Sequence, residues 1–177
     1  MNDSRNFKIM DLTKVCTTFP QLGEPNIQRE NMIMTIEGML QNNDIVTVEG
    51  LDGIGKTTLL AQFASALPEQ TFCLFIRASS RWAYDSQILT RNLCDQIGWV
   101  LYKEEYMNNG KEIELTQLLR KRLQELQRKS NSEQKKYYFV VDGLQDIPEA
   151  GKLEKESILN ILPFRYSSLL FYLIWIF

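Results

Sequence analysis

Eight consecutive residues constrain this chain more than the rest of it together. Gly50-Leu51-Asp52-Gly53-Ile54-Gly55-Lys56-Thr57 fits the spacing G-x-x-x-x-G-K-[ST] in full. Each residue type has a physical task. Gly50, Gly53 and Gly55 let the backbone turn through left-handed angles, so that successive N–H groups point into one concavity. Asp52, Ile54 and Thr58 belong to the same turn and count with the glycines as candidate cradle residues. A helix beginning at Lys56 adds the partial positive charge of its N-terminus, about half an elementary charge. The Lys56 ammonium can reach β- and γ-phosphates, and the Thr57 hydroxyl can ligate Mg²⁺. Chance produces such a match roughly once in 200 chains of this length, and the strand before and helix after it lower that further. The motif implies a bound nucleoside triphosphate, ATP with GTP as the alternative, together with Mg²⁺.

The pattern around the motif is that of one α/β domain. The sequence has 177 residues, 44% of them hydrophobic and 24% charged, which suits a single globular core. A helical period begins at Asn26 and stops at the polar run Gln41 to Asp44. Ile45 to Val48 reads as a strand, Lys56 to Leu67 as a helix halted by Pro68, and Thr71 to Ile76 as a second strand. Ser79-Ser80 suggests the start of a helix that runs on through Ile88, Leu89, Leu93 and Ile97 to a stop near Gly98. Asn108 to Gly110 reads as a turn, Ile113 to Arg128 as the clearest helix, and Ser130 to Gln134 as a loop. Tyr137 to Val141 is a third strand, Leu153 to Leu162 a modest helix, and Leu169 to Ile176 a fourth strand. Apolar strands separated by helices imply a mainly parallel sheet covered on both faces, a three-layer αβα sandwich. Residues 1–24 read as an N-terminal lead-in, 25–163 as the nucleotide-binding domain and 164–177 as an apolar C-terminal tail.

A second site residue is expected where another parallel strand ends in an acid that can hold Mg²⁺ through water. Tyr137 to Asp142 supplies it, so Asp142 joins Thr57 as the candidate metal pair and Lys56 as a candidate catalytic group. The competing reading of Asp142-Gly143 is an ordinary strand-ending turn. Composition excludes other chemistries. With no His, the chain has no Ser-His-Asp or Cys-His nucleophile and no imidazole metal site. Its three cysteines are too scattered for a disulfide framework or a zinc site; Cys73 and Cys94 read as small buried hydrophobes, and a reducing, cytoplasmic setting is expected. The net charge of −2 argues against general polyanion binding. Arg120-Lys121-Arg122, Arg128-Lys129 and Lys135-Lys136 read as the solvated face and end of a helix, so no nucleic-acid partner is expected. Trp82, Tyr84 and Trp99 read as core or interface; Arg77 and Arg81, at the end of the second strand, read as surface arginines, with approach to a neighbouring subunit's phosphate as the alternative. The apolar stretch from Leu169 to Phe177 is far short of the ~20 residues that span a bilayer, so no membrane partner is expected either.

Several segments resemble the STAND class of P-loop NTPases, the NB-ARC and NACHT group of signalling switches. GLDGIGKTTLL (Gly50 to Leu60) is similar to the NB-ARC loop, and YFVVDGLQD (Tyr138 to Asp146) to the second NACHT motif. FCLFIRASS (Phe72 to Ser80) resembles the second NB-ARC strand, and Ile27-Gln28-Arg29-Glu30 the hydrophobic-Gly-Arg-Glu segment that packs near the adenine. The resemblance implies base contacts from Ile27 and Arg29 and self-association; its water-activating acid falls where this chain has Gln145, and Asp146 next to it is the candidate that compensates. It also implies a sensor strand between the two motif-bearing strands, which the tail can supply; the favoured expectation is a truncated ending, so that the fold is incomplete at the C-terminus and lacks the family's lid over the nucleotide. Gln28 replaces the usual Gly, and Gln145 stands where the family has an acid, so hydrolysis is expected to be weak. VEGLDGIGKTT (Val48 to Thr58) is also similar to the phosphate loop of thymidylate kinases, but Arg77 to Arg81 and VVDGLQD do not follow that family's substrate motifs.

Overall fold

The computed structural model describes residues 15–24, 26–77, 79, 81–103 and 114–163, and the backbone of 171–176. The turn expected at Asn108 to Gly110, Ser80 and the start of the tail lie outside the described residues. In chain order the elements are α1 (Glu30–Met39), β1 (Ile45–Val48), α2 (Lys56–Ala66), β2 (Thr71–Phe75), α3 (Ser86–Tyr102), α4 (Leu115–Glu133), β3 (Tyr137–Asp142), α5 (Lys152–Ile161) and β4 (Phe171–Ile176). The strands form a wholly parallel sheet in the order β1-β4-β3-β2. β4 therefore runs between the strand that feeds the glycine loop and the strand that ends at Asp142.

Alternate residues of β2 and β3 supply two separate cores, the hallmark of a parallel sheet sandwiched between helices. On one face Phe72, Leu74, Phe139 and Val141 pack with Leu89, Leu93, Leu119, Leu123 and Leu126 from α3 and α4. On the other, Cys73, Phe75, Val140 and Val46 pack with Ile36 and Leu40 of α1 and Leu59, Leu60 and Phe63 of α2. Cys16, Cys73 and Cys94 are all buried free thiols, and burial pushes Cys94 up to about 12. No helix among the described residues is long and apolar enough to cross a membrane.

Side-chain contacts override local signals at four places, two of them through residues distant in sequence. Residues 26–29 stay outside α1, because the Gln62 side chain grips their polar groups (donating to Asn26 Oδ1 and the Ile27 carbonyl, accepting from Arg29 N–H). α3 begins at Ser86 rather than at Ser79-Ser80, since Asp85 caps it with bonds from Gln87 N–H and Ile88 N–H. It also passes through Gly98, where the Arg122 guanidinium lies so close that any side chain would collide with it. Arg122 is thus buried, not solvated, and donates to the Cys94 carbonyl. α4 continues through Ser130, whose buried hydroxyl donates to the Lys135 carbonyl at 2.6 Å, so the expected loop is helix to Glu133. Trp82 is 73% exposed and no part of either core.

Residues 15–24 close one edge of the sheet. The Gln96 amide takes both polar groups of Cys73 on β2, accepting from its N–H at 2.7 Å and donating to its carbonyl at 2.8 Å. Asn92 ties the same side to the Val15 carbonyl and the Thr17 hydroxyl, and Phe19 meets Phe75 edge-on. A side-chain amide that imitates a neighbouring strand blunts an edge which would otherwise recruit another chain.

Candidate functional site

The turn from β1 into α2 is shaped by Gly53 and Gly55, at φ 77° and 91°, where a residue with a Cβ is strained. Gly55 is the N-cap of α2 and no side chain caps that helix, so its first amides face the loop's concavity. The concavity opens into a cavity of about 610 Å³. Asp52, Gly53, Gly55, Lys56, Thr57 and Thr58 line it from the loop side, and Asp142, Gly143, Gln145 and Asp146 from the end of β3. Residues expected from two separate motifs thus meet around one space.

Thr57 and Asp142, 85 positions apart in sequence, are in direct contact: the threonine hydroxyl donates to Asp142 Oδ2 at 2.6 Å. Asp142 is placed by the register of β3, and Gly143 follows at φ 85°, with its Cα against the Ile76 carbonyl where a Cβ would clash. Ile76 N–H in turn donates to the Asp142 carbonyl at 2.8 Å, locking the ends of β2 and β3 together beneath the cavity. Burial raises the Asp142 carboxyl above the usual carboxylate range, with the Asp146 charge adding to it; the Thr57 hydroxyl, the Gly143 N–H and Lys56 pull the other way. A divalent cation would reverse that balance by favouring the ionised form.

Lys56 donates to the carbonyls of Gly50 at 2.6 Å and Leu51 at 3.2 Å and stands 3.7 Å from exposed Asp52. Its ammonium is held over the loop by weak, exchangeable partners that a phosphate can replace. Arg29 lies outside the cavity lining: its guanidinium donates to the carbonyls of Ile54 at 2.8 Å and Gly55 at 3.5 Å. Ile27 is 78% exposed and does not line the cavity either, and the Ile54 side chain points to solvent from the loop tip. Arg29 thereby ties down two loop carbonyls, an orientation that leaves the intervening amides to the cavity.

Sequence reasoning passed over Gln62 and favoured a surface role for Arg77, and the structure puts both around the loop and its cavity. Gln62, 4% exposed on the inward side of α2, holds residues 26–29 and through Arg29 the loop itself. Its signal was a polar residue between the apolar positions Leu59, Leu60, Phe63 and Ala64. Arg77, read as a surface arginine, lines the same cavity as Lys56.

The donor set suits Mg²⁺. Among the described residues no group of three or more His, Cys, Asp and Glu side chains could cage a metal. Mg²⁺ asks for less, one or two oxygen ligands from the protein with water and phosphate oxygens for the rest, and the Thr57–Asp142 pair offers that. The sequence matches the family of AAA domains over residues 39–174, a span that includes both motifs and most of β4. Neither a curated protein nor a solved structure gives a significant match.

Proposed function

The chain belongs to the AAA domain family and binds nucleotide as a P-loop NTPase, and from that premise we propose that it is the Mg²⁺-dependent ATP-binding core of a STAND-like switch. The contact between Thr57 and Asp142 at 2.6 Å, at the uncapped N-terminus of α2, carries this reading. The α2 amides and the residues from Gly50 to Thr58 wrap the phosphate tail, and Lys56 exchanges the Gly50 and Leu51 carbonyls for phosphate oxygens. Thr57 and Asp142 would hold Mg²⁺, which when bound neutralises charge between the terminal phosphates.

Asp146 and Gln145 stand at the rim on the Asp142 side, where an attacking water would be oriented. Gln145 can orient water without taking its proton, and the missing carboxylate costs about 10²- to 10⁴-fold in rate. Slow hydrolysis suits a switch that persists in its nucleotide-bound form. The position of β4 between β1 and β3 favours the switch over the kinase alternative, because it is where the resemblance puts a sensor strand. Residues 25–163 and β4 then act as one nucleotide-binding unit.

The decisive experiment titrates fluorescent ATP and GTP, each with Mg²⁺, against wild type and Lys56→Ala. We expect micromolar binding by the wild type, tighter for ATP, and a loss of about 100-fold or more in the variant. Equal affinity in both proteins removes the assignment. Sedimentation with ATP and with ADP tests the switch, through self-association that depends on the nucleotide; phosphate transfer to thymidine monophosphate would move the chain to the kinases.

A further inference from the structure

Building on the nucleotide-binding reading, we infer that Arg77 is this chain's own contact to the terminal phosphate, the residue that distinguishes a nucleoside triphosphate from a diphosphate. Lys56 and Arg77 are the cations that line the cavity among the described residues, against three acids, Asp52, Asp142 and Asp146. Lys56 alone leaves that balance negative, and a triphosphate still carries net negative charge with Mg²⁺ bound. Arg77 is the second cation on the cavity wall that offsets part of this negative charge.

Arg77 is also available in a way the neighbouring arginines are not. Arg29 is committed to the Ile54 and Gly55 carbonyls, and Arg122 is buried against Cys94 and Gly98. The Arg77 side chain is exposed and makes no hydrogen bond or ion pair with any described residue. Its backbone is anything but loose. It follows Ile76, whose N–H is bonded to the Asp142 carbonyl and whose own carbonyl seats Gly143. An unpartnered guanidinium on a fixed base presents five donors in a planar fork matched to phosphate oxygens.

Register places that fork at one end of the phosphate tail. Phe75 pairs with Asp142, so Arg77 projects two residues beyond the metal carboxylate, on the side of Gln145 and Asp146 and across from the glycine loop. The loop amides cover the inner phosphates, and the side toward Gln145 is where the terminal one sits. Arg77 acts from within the same chain, with no second subunit required.

The test measures binding of fluorescent ATP and ADP, each with Mg²⁺, to wild type, Arg77→Ala, Arg77→Lys and Arg81→Ala, with thermal melting to show that each variant is folded. Arg77→Ala should weaken ATP about tenfold and leave ADP within about twofold, cutting the ATP/ADP preference by nearly the whole of the ATP loss. Arg77→Lys should recover part of it, since charge survives without the fork. Arg81→Ala, in the next turn and outside the cavity lining, should match wild type. An unchanged ATP/ADP ratio in Arg77→Ala, whether both affinities hold or both fall together, overturns the inference while nucleotide binding stands. A wild type that binds neither nucleotide, or a Lys56→Ala variant that binds as wild type does, overturns the underlying reading and this inference with it.

Discussion

Two helix N-termini in this molecule solve the same problem in opposite ways. Every α-helix begins with amides that have no partner inside it, gathered at the positive end of its dipole. At α3 the chain supplies the partners itself: Asp85 Oδ1 accepts from Gln87 N–H at 2.9 Å and Ile88 N–H at 3.0 Å, and Glu154 accepts from Ser86 N–H at 3.2 Å. At α2 the N-cap is Gly55, in a left-handed conformation and with no side chain to offer. The first helix end is complete within the protein, while the second has no side-chain cap and, on the proposed function, would be completed by an anion from outside. What separates a structural terminus from a binding one is the absence of an internal carboxylate, together with a cavity for an external one to occupy.

The largest test of that contrast is nucleotide-linked stability. A ligand present at 100 times its Kd stabilises the native state by about 2.7 kcal/mol, and for a chain of this size each kcal/mol raises Tm by about 2–4 °C. Mg²⁺–ATP should raise the wild-type melting temperature accordingly and leave Lys56→Ala where it was, as scanning calorimetry would reveal. A full shift in the variant would mean that the α2 terminus is not where the ligand sits.

The next effect concerns how an uncapped terminus keeps its shape. Gln62 satisfies Arg29 N–H, Asn26 Oδ1 and the Ile27 carbonyl, and Arg29 steadies the loop in front of α2. Gln62→Ala should cost about 2 kcal/mol in urea unfolding, because buried polar groups lose their partners. It should also weaken ATP severalfold through the loosened loop. Full stability together with full affinity would show the latch to be idle. The smallest effect belongs to the self-sufficient helix: Asp85→Ala should cost about 1 kcal/mol and leave ATP affinity untouched. Were ATP binding to fall as it does in Lys56→Ala, the two termini would be coupled and the contrast would collapse.

Much of the fold was legible because its signals are local. The β-branched run Ile45 to Val48 and the continuously apolar Thr71 to Phe75 form strands where their patterns place them, and both are parallel members of one sheet. The structure departs from the sequence reading where one side-chain contact, near or distant, changes what a short segment can do. Gly98 looks like a stop only until Arg122 fills the space beside it, and Ser130 looks like a loop until its hydroxyl finds the Lys135 carbonyl. Residues 26–29 have a helical period yet remain outside α1, because the Gln62 amide is a better partner for them than the next helical turn. The site divides along the same line. Lys56 and Thr57 are expected from the motif and Asp142 from the rule that a parallel strand carries its acid at its end, and the structure brings them around one cavity; Arg77 lines it too, although the sequence favours a surface arginine there over one approaching a neighbouring subunit's phosphate.

The glycine spacing was sufficient to specify the turn and the helix start, since both follow from steric limits on a few consecutive backbone angles, which any chain with these residues must obey. It required folding to bring the Thr57 hydroxyl to Asp142 and Arg77 into the same cavity, and to set β4 between β1 and β3. Those relations depend on sheet order and register, which are settled by packing two hydrophobic faces at once and are encoded in no single stretch of residues.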